Sequence, residues 1–352
     1  MDRTTSLSEP FRLVVILAGL TIIIAGMKAG ALIIGPLLFS FFISILFVML
    51  LRWFKAKGLS HRLSLIMVIG IFLATVAGFF LIILVSALQL AKQVPLYQAE
   101  MVAQLNSLLE LVNGSGVDIM SIPVQDIITW IAGTTGTALT SLADIFTAFL
   151  IVLLTTIFLI IEATGFTDKI SVILRKRPEV GDHIRDFGKK IVDYLVIRTE
   201  VNMVTGVGVG VILTVLGVDF ALLWGFLAFL LSFIPYLGFW LAVLPPMLLA
   251  WAELGPAGAA IFLVGAIIVD VLADDVIFPQ LAGFQLQLSP VIVFIAVIFW
   301  WWVLGVFGML LAVPLTLLLK LIVELWDETR WMGEFIGTSG LNKISVKDES
   351  DE

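Results

Sequence analysis

Three carboxylates stand in a part of the chain that is otherwise almost wholly apolar. Asp270, Asp274 and Asp275 fall within Ala266-Ile267-Ile268-Val269-Asp270-Val271-Leu272-Ala273-Asp274-Asp275-Val276-Ile277-Phe278-Pro279. Helical spacing puts Asp270 and Asp274 on one face. A charged carboxylate in hydrocarbon costs at least a few kcal/mol, so such a residue normally faces a water-filled cavity, a cation or a proton relay. The plainer alternative is that the apolar segment ends near Asp270 and that the aspartates only mark its boundary.

A second group of residues could do chemistry through the backbone. Ser232-Phe233-Ile234-Pro235-Tyr236-Leu237-Gly238 precedes Leu241-Ala242-Val243-Leu244-Pro245-Pro246, and Gly305-Val306-Phe307-Gly308 precedes Leu311-Ala312-Val313-Pro314. Each is an aromatic-rich run, a glycine break, then Leu-Ala-Val leading into proline. Paired interruptions of this kind in two apolar segments predict discontinuous helices, whose freed N–H and C=O groups can hold an ion or a polar solute at depth. The candidate pathway residues are therefore Asp270, Asp274, Asp275, Pro235, Tyr236, Gly238, Pro279, Gly305, Gly308 and Pro314. Against this stands the general frequency of Gly and Pro in membrane helices, where they merely kink or pack. Trp300-Trp301-Trp302 reads as an interfacial tryptophan belt, with an aromatic cavity wall as the sharper alternative.

The elements that must position these groups follow from composition. Of 352 residues 61% are hydrophobic and 13% charged, too little charge to cover a water-soluble surface. Apolar runs long enough for about 30 Å of hydrocarbon recur at residues 13–27, 31–51, 65–91, 143–161, 201–217, 221–252, 257–277 and 289–323. The expected fold is all-α and polytopic, with about eight crossings, the sixth and eighth segments being broken or re-entrant. Residues 13–27 could be a signal peptide ending at Ala29-Gly30-Ala31; the apolar run that follows at once favours a retained span.

All lysines and arginines except Lys28 and Lys92 fall on one side of such a layout, which predicts a multi-pass cytoplasmic-membrane protein with both termini cytoplasmic. Expected divisions are N-terminal spans over 1–91, an external, partly helical cap over 92–142, a span and basic cytoplasmic loop over 143–200, a transport core over 201–325 and a cytoplasmic tail over 326–352. Within the basic loop, Ile184, Phe187, Ile191, Tyr194 and Leu195 share one face, predicting an amphipathic helix lying against lipid headgroups. Glu162, Glu324, Asp219 and Glu253 read as solvated boundary residues.

With no cysteine, thiolate and disulfide chemistry is excluded, and two isolated histidines, His61 and His183, read as loop residues rather than metal ligands. No cofactor and no metal are expected, nucleic-acid binding is not indicated, and no nucleotide-binding loop or catalytic motif is present. The expected partners are the lipid bilayer and a small polar solute or sodium and protons.

Asp219-Phe220-Ala221, Trp224-Gly225, Ile234-Pro235-Tyr236-Leu237-Gly238, Leu244-Pro245-Pro246, Phe278-Pro279, Leu288-Ser289-Pro290, Phe299-Trp300, Gly305 and Gly308-Met309-Leu310-Leu311 with Val313-Pro314-Leu315 occur in an order that resembles the autoinducer-2 exporter family of bacterial membrane proteins. The resemblance spans the C-terminal half. It implies export of the quorum-sensing signal autoinducer-2 or another small polar solute, and for some similar proteins sodium/proton antiport. It also implies a homo-oligomer, with a pentamer as one candidate size. Gln280 stands where the family often has a basic residue and Asp275 where asparagine is common, departures that raise the cation-coupled reading. Three functions are in view: an exporter that does not hydrolyse ATP, an antiporter using the aspartates, and a membrane scaffold that transports nothing.

Overall fold

The computed structural model describes residues 9–113, 142–174, 178–282 and 288–324. They form α1 (Glu9–Ala29), α2 (Ala31–Ala56), α3 (His61–Asn113), α4 (Leu142–Leu174), α5 (Pro178–Leu216), α6 (Ala221–Leu231), α7 (Gly238–Asp270), a π-helical segment (Val271–Ile277), α8 (Phe278–Ala282), α9 (Pro290–Leu304), α10 (Val306–Leu310) and α11 (Ala312–Glu324). The chain is an all-α polytopic membrane protein. Four stretches, Ala31–Ala56, His61–Ser86, Phe146–Ala163 and Phe187–Leu216, are long and apolar enough to cross a bilayer. Their large apolar side chains point outward, as Leu32, Ile66, Phe158 and Val215 do, an arrangement that suits lipid and not water.

Helices α2 and α3 run antiparallel, with α4 parallel to α2. Phe47 of α2 meets Phe72 of α3 edge-on at 4.9 Å, and Leu51, Val68 and Ile160 bury together where α2, α3 and α4 meet. The α1–α2 turn thus lies at one end of the bundle and the Arg52–Lys57 stretch at the other.

The sixth apolar segment does not cross. Helix α6 descends along α5, the chain reverses at Ser232–Leu237, and the first arm of α7 climbs back. Both ends of this hairpin meet at one level, where the Asp219 amide donates to Glu253 Oε2 at 3.2 Å. Gly255, at φ +74°, then turns the chain into a second arm of α7 that packs along α5. Helices α5 and α6 touch backbone to backbone: a Cβ on Gly206 would lie 2.7 Å from the Gly225 carbonyl oxygen, and one on Gly225 3.0 Å from Gly210 Cα.

The eighth segment makes a second hairpin, α9 returning through α10 and α11, of opposite sense. Its tip lies at the α1–α2 turn, where Lys28 Nζ sits 3.8 Å over the Trp302 ring and Phe307 packs on Phe39. The first hairpin opens at that same end and has its tip toward the other. Ile234 from the first tip and Trp300, Val303, Leu310 and Val313 from the second share one core with Tyr194 and Leu195.

Two expectations are corrected here. The helix expected in the basic stretch is present, but it is the first part of α5, which begins at Pro178 and continues unbroken to Leu216, and the described part of its apolar face does not lie against headgroups. Its face of Ile191, Tyr194 and Leu195 is buried in the main core because the same helical period continues without a break into the span. His61, expected in a loop, is the first residue of α3. The greater part of the expected cap, residues 114–141, and the tail 326–352 lie outside the described residues.

Candidate functional site

The two breaks are built differently. In the first, Tyr236 takes φ +64°, a left-handed conformation that costs a non-glycine residue roughly 1–3 kcal/mol. Gly238 follows because any Cβ there would strike the Leu231 carbonyl oxygen of the descending helix. In the second, Gly305 supplies the left-handed turn at φ +65°, and Gly308 is the close-approach position, its missing Cβ facing the Trp300 carbonyl oxygen. The glycine pairing read from the sequence thus corresponds to one geometric need met twice: the returning helix abuts a carbonyl of the helix it left.

Around the first tip lies a polar cluster that, among the described residues, the second lacks. Arg198 of α5 is 8% exposed. Its guanidinium donates to both carboxylate oxygens of Asp274, Nη1 to Oδ1 at 2.7 Å and Nη2 to Oδ2 at 3.2 Å. Nη2 also donates to the backbone carbonyl of Ser232, the residue where α6 ends. The Phe278 ring stands 5.6 Å from the guanidinium carbon. A planar fork that pairs bidentately with a carboxylate is the chemistry for which arginine is suited and lysine is not. One cation therefore ties three elements together: the long helix α5, the tip of the first hairpin and the π-helical segment.

The π-helical segment presents its acids unequally. Asp274 is paired, while Asp270 is half-buried and Asp275 exposed, neither with an ion pair among the described residues. π-Helical turns inside longer helices are frequent at functional sites. Pro279 opens onto the exposed surface in the first turn of α8, Pro235 is half-buried beside Tyr236, and Pro314 is fully buried in α11. The ten candidate residues therefore do not converge. Asp274 is brought to the first break through Arg198, whereas Gly305 and Gly308 sit toward the opposite end, near Lys28 and Gly35.

The three tryptophans divide. Trp300 is buried and donates from Nε1 to Thr316 Oγ1 at 3.1 Å, a structural contact, while Trp301 and Trp302 face outward. Glu253, expected to be a solvated boundary residue, is half-buried and caps the Asp219 amide. At that end a cleft of about 660 Å³ is lined by Ser86, Gln89, Lys92, Asp219 and Phe220.

Arg198 was hidden in the sequence by its company. It is the last of a run of cations, and the orientation rule assigns such runs to a cytoplasmic loop. The signal that could have found it is the spacing: Ile191, Tyr194, Arg198, Asn202, Thr205 and Val209 are all buried on one uninterrupted helical face. An arginine on that face must have a partner in the protein.

Residues 13–328 match the model of the AI-2E family transporter. The chain is 31% identical to the AI-2 transport protein TqsA of Escherichia coli K12 over 89% of its own length and 92% of that protein's. A putative transport protein of Haemophilus influenzae is 28% identical over 88% and 91%, and the putative transport protein YrrI of Bacillus subtilis 25% identical over 82% and 85%. A family model that spans nearly the whole chain, breaks and acids included, leaves the membrane fold and its two hairpins with one reading: the chain belongs to the AI-2E family of membrane transporters.

Proposed function

We propose that the chain is a secondary exporter of a small polar solute, working without ATP hydrolysis, with autoinducer-2 as the candidate solute. The observation that carries this reading is the Arg198 tie between the first hairpin tip and the π-helical segment. Two broken hairpins of opposite sense packed on one core are the arrangement from which alternating access is built. In this reading solute passes from the end near Arg198 to the cleft beside Asp219, and release of the Arg198–Asp274 pair lets the first hairpin move. The name of the E. coli relative supports autoinducer-2 as the first solute to test.

The test is efflux of labelled autoinducer-2 from proteoliposomes, with sodium and proton gradients imposed or collapsed. Protein-dependent efflux supports the reading, and its absence for autoinducer-2 and for other polar solutes overturns it. Sodium/proton antiport is the second reading, favoured by Asp270 and Asp275, acids beside a paired one. It requires that Asp270→Asn abolish sodium-driven proton movement in the same vesicles.

Placement in the bacterial inner membrane with both termini cytoplasmic, and assembly as a homo-oligomer, belong to the same proposal. Cysteines introduced at Lys57 and Arg177 should resist an impermeant thiol reagent added to cells, and one at Ser115 should react. External labelling at Arg177 would reverse the orientation. The native lack of cysteine leaves no background.

A further inference from the structure

One turn beyond Arg198, Asn202 is wholly buried, and neither its Nδ2 nor its Oδ1 has a hydrogen-bond partner among the described residues. It lies between the Arg198 tie and the close contact of Gly206 with Gly225, on the face of α5 turned toward the first hairpin. Thr205, on the same face, is spent on its own helix, donating toward the Val201 carbonyl oxygen. A buried carboxamide with both its donor and its acceptor unmet is costly, and leucine would fill nearly the same space without that cost. Such a group is explained if something pairs with it in another state of the protein.

The chemistry of the group restricts what that is. A bare cation would satisfy only Oδ1, and an anion only Nδ2. A partner that both donates and accepts is needed, such as a water, a zwitterion or a hydroxyl, and of these the hydroxyl accepts from Nδ2 and donates to Oδ1 without bringing a charge into the buried site. Resting on the transport reading above, we propose that Asn202 is a solute-binding residue that reads hydroxyl groups on a small neutral polyhydroxylated solute, reached when the Arg198–Asp274 pair opens. Trp224 and Trp251 also carry buried, unpartnered indole N–H groups, but an indole only donates, and neither residue lies on the face that carries Arg198.

The experiment uses the full chain in proteoliposomes with radiolabelled ribitol, ribose, alanine and sodium as separate probes, comparing wild type with Asn202→Leu and Asn202→Gln. Expected is saturable ribitol or ribose flux whose KM rises at least tenfold in Asn202→Leu, with partial recovery in Asn202→Gln. The melting temperature of solute-free Asn202→Leu should be equal to or above wild type, since an unpaired polar group has been removed. A purely structural asparagine would instead give a lower melting temperature with an unchanged KM, which overturns the proposal. Wild-type flux of alanine or sodium without flux of either hydroxylated probe overturns the hydroxyl assignment while leaving transport intact. No flux of any of the four probes while autoinducer-2 efflux persists overturns the proposal alone, and loss of that efflux as well overturns the transport reading along with it.

Discussion

The two hairpins solve the same backbone problem with opposite materials. In the second, every residue from Gly308 to Leu317 is buried, and its two arms are joined by the Trp300 to Thr316 hydrogen bond. In the first, buried, half-buried and exposed residues mix from Ser232 to Gly238, the turn residue is an exposed tyrosine forced into a glycine's conformation, and the tip is held by an arginine. Apolar packing is non-directional and tolerates no partial opening, because each opened contact costs area and leaves a void. An ionic tie is directional, can be exchanged for water or a competing ligand, and so can have two states. In the transport cycle proposed above, the second hairpin is therefore the frame and the first the moving part.

The largest expected effect sets one against the other at their matched glycines. Gly308→Ala drives a Cβ into the Trp300 carbonyl with packed residues on all sides, and should cost roughly 3 kcal/mol or more, seen as loss of the monodisperse peak in size exclusion. Gly238→Ala meets the Leu231 carbonyl in a looser tip and should leave more folded protein. Equal losses would dissolve the distinction between frame and moving part.

Next in size is the tie. Arg198→Gln and Asp274→Asn should each lower solute flux at least tenfold while the protein still inserts. Because the Asp274 side chain is 38% exposed, solvent screens the pair, and the loss of stability should stay below the roughly 3–5 kcal/mol of a fully buried one. Trp300→Phe removes the polar link of the second hairpin and should cost about 1 kcal/mol in thermal unfolding with flux unchanged, as befits a frame. A flux loss in Trp300→Phe comparable to that of Arg198→Gln would place the second hairpin in the moving machinery.

The smallest effect is at Tyr236. Replacing it by glycine removes backbone strain of roughly 1–3 kcal/mol and adds about 0.5–1 kcal/mol of glycine entropy, so the melting temperature should rise slightly. A fall would mean that the exposed tyrosine ring holds the tip and not the reverse.

The class of fold and both breaks could be read from the sequence, because hydropathy and the Gly/Pro pattern are local signals that the bilayer makes strict. Whether the sixth segment is broken or re-entrant stayed open in the sequence, since the choice shows only in contacts such as Asp219–Glu253 between residues far apart in the chain. Asp274 was found as an acid at depth, yet its partner was not: the rule that cations mark loops works on averages, and Arg198 is an exception only because of what α6 and the π-helical segment bring to it. Asn202 gave no sequence signal beyond its period, as its significance lies in what it fails to touch.

The glycine contact between α5 and α6 has a mechanical consequence. Interlocked side chains resist sliding because knobs must be lifted out of holes and rotamers rearranged, whereas two bare backbones in contact have neither. In the proposed cycle, Gly206, Gly210 and Gly225 would serve as a rail for the first hairpin, with the Phe229 Cβ that stands against Gly206 carried along it. A rail does not fix position along its length, so its stops must lie at the ends. In that cycle they would be the Asp219–Glu253 hydrogen bond at one end and the Arg198 grip on the Ser232 carbonyl at the other, and these two contacts would set the travel of the hairpin.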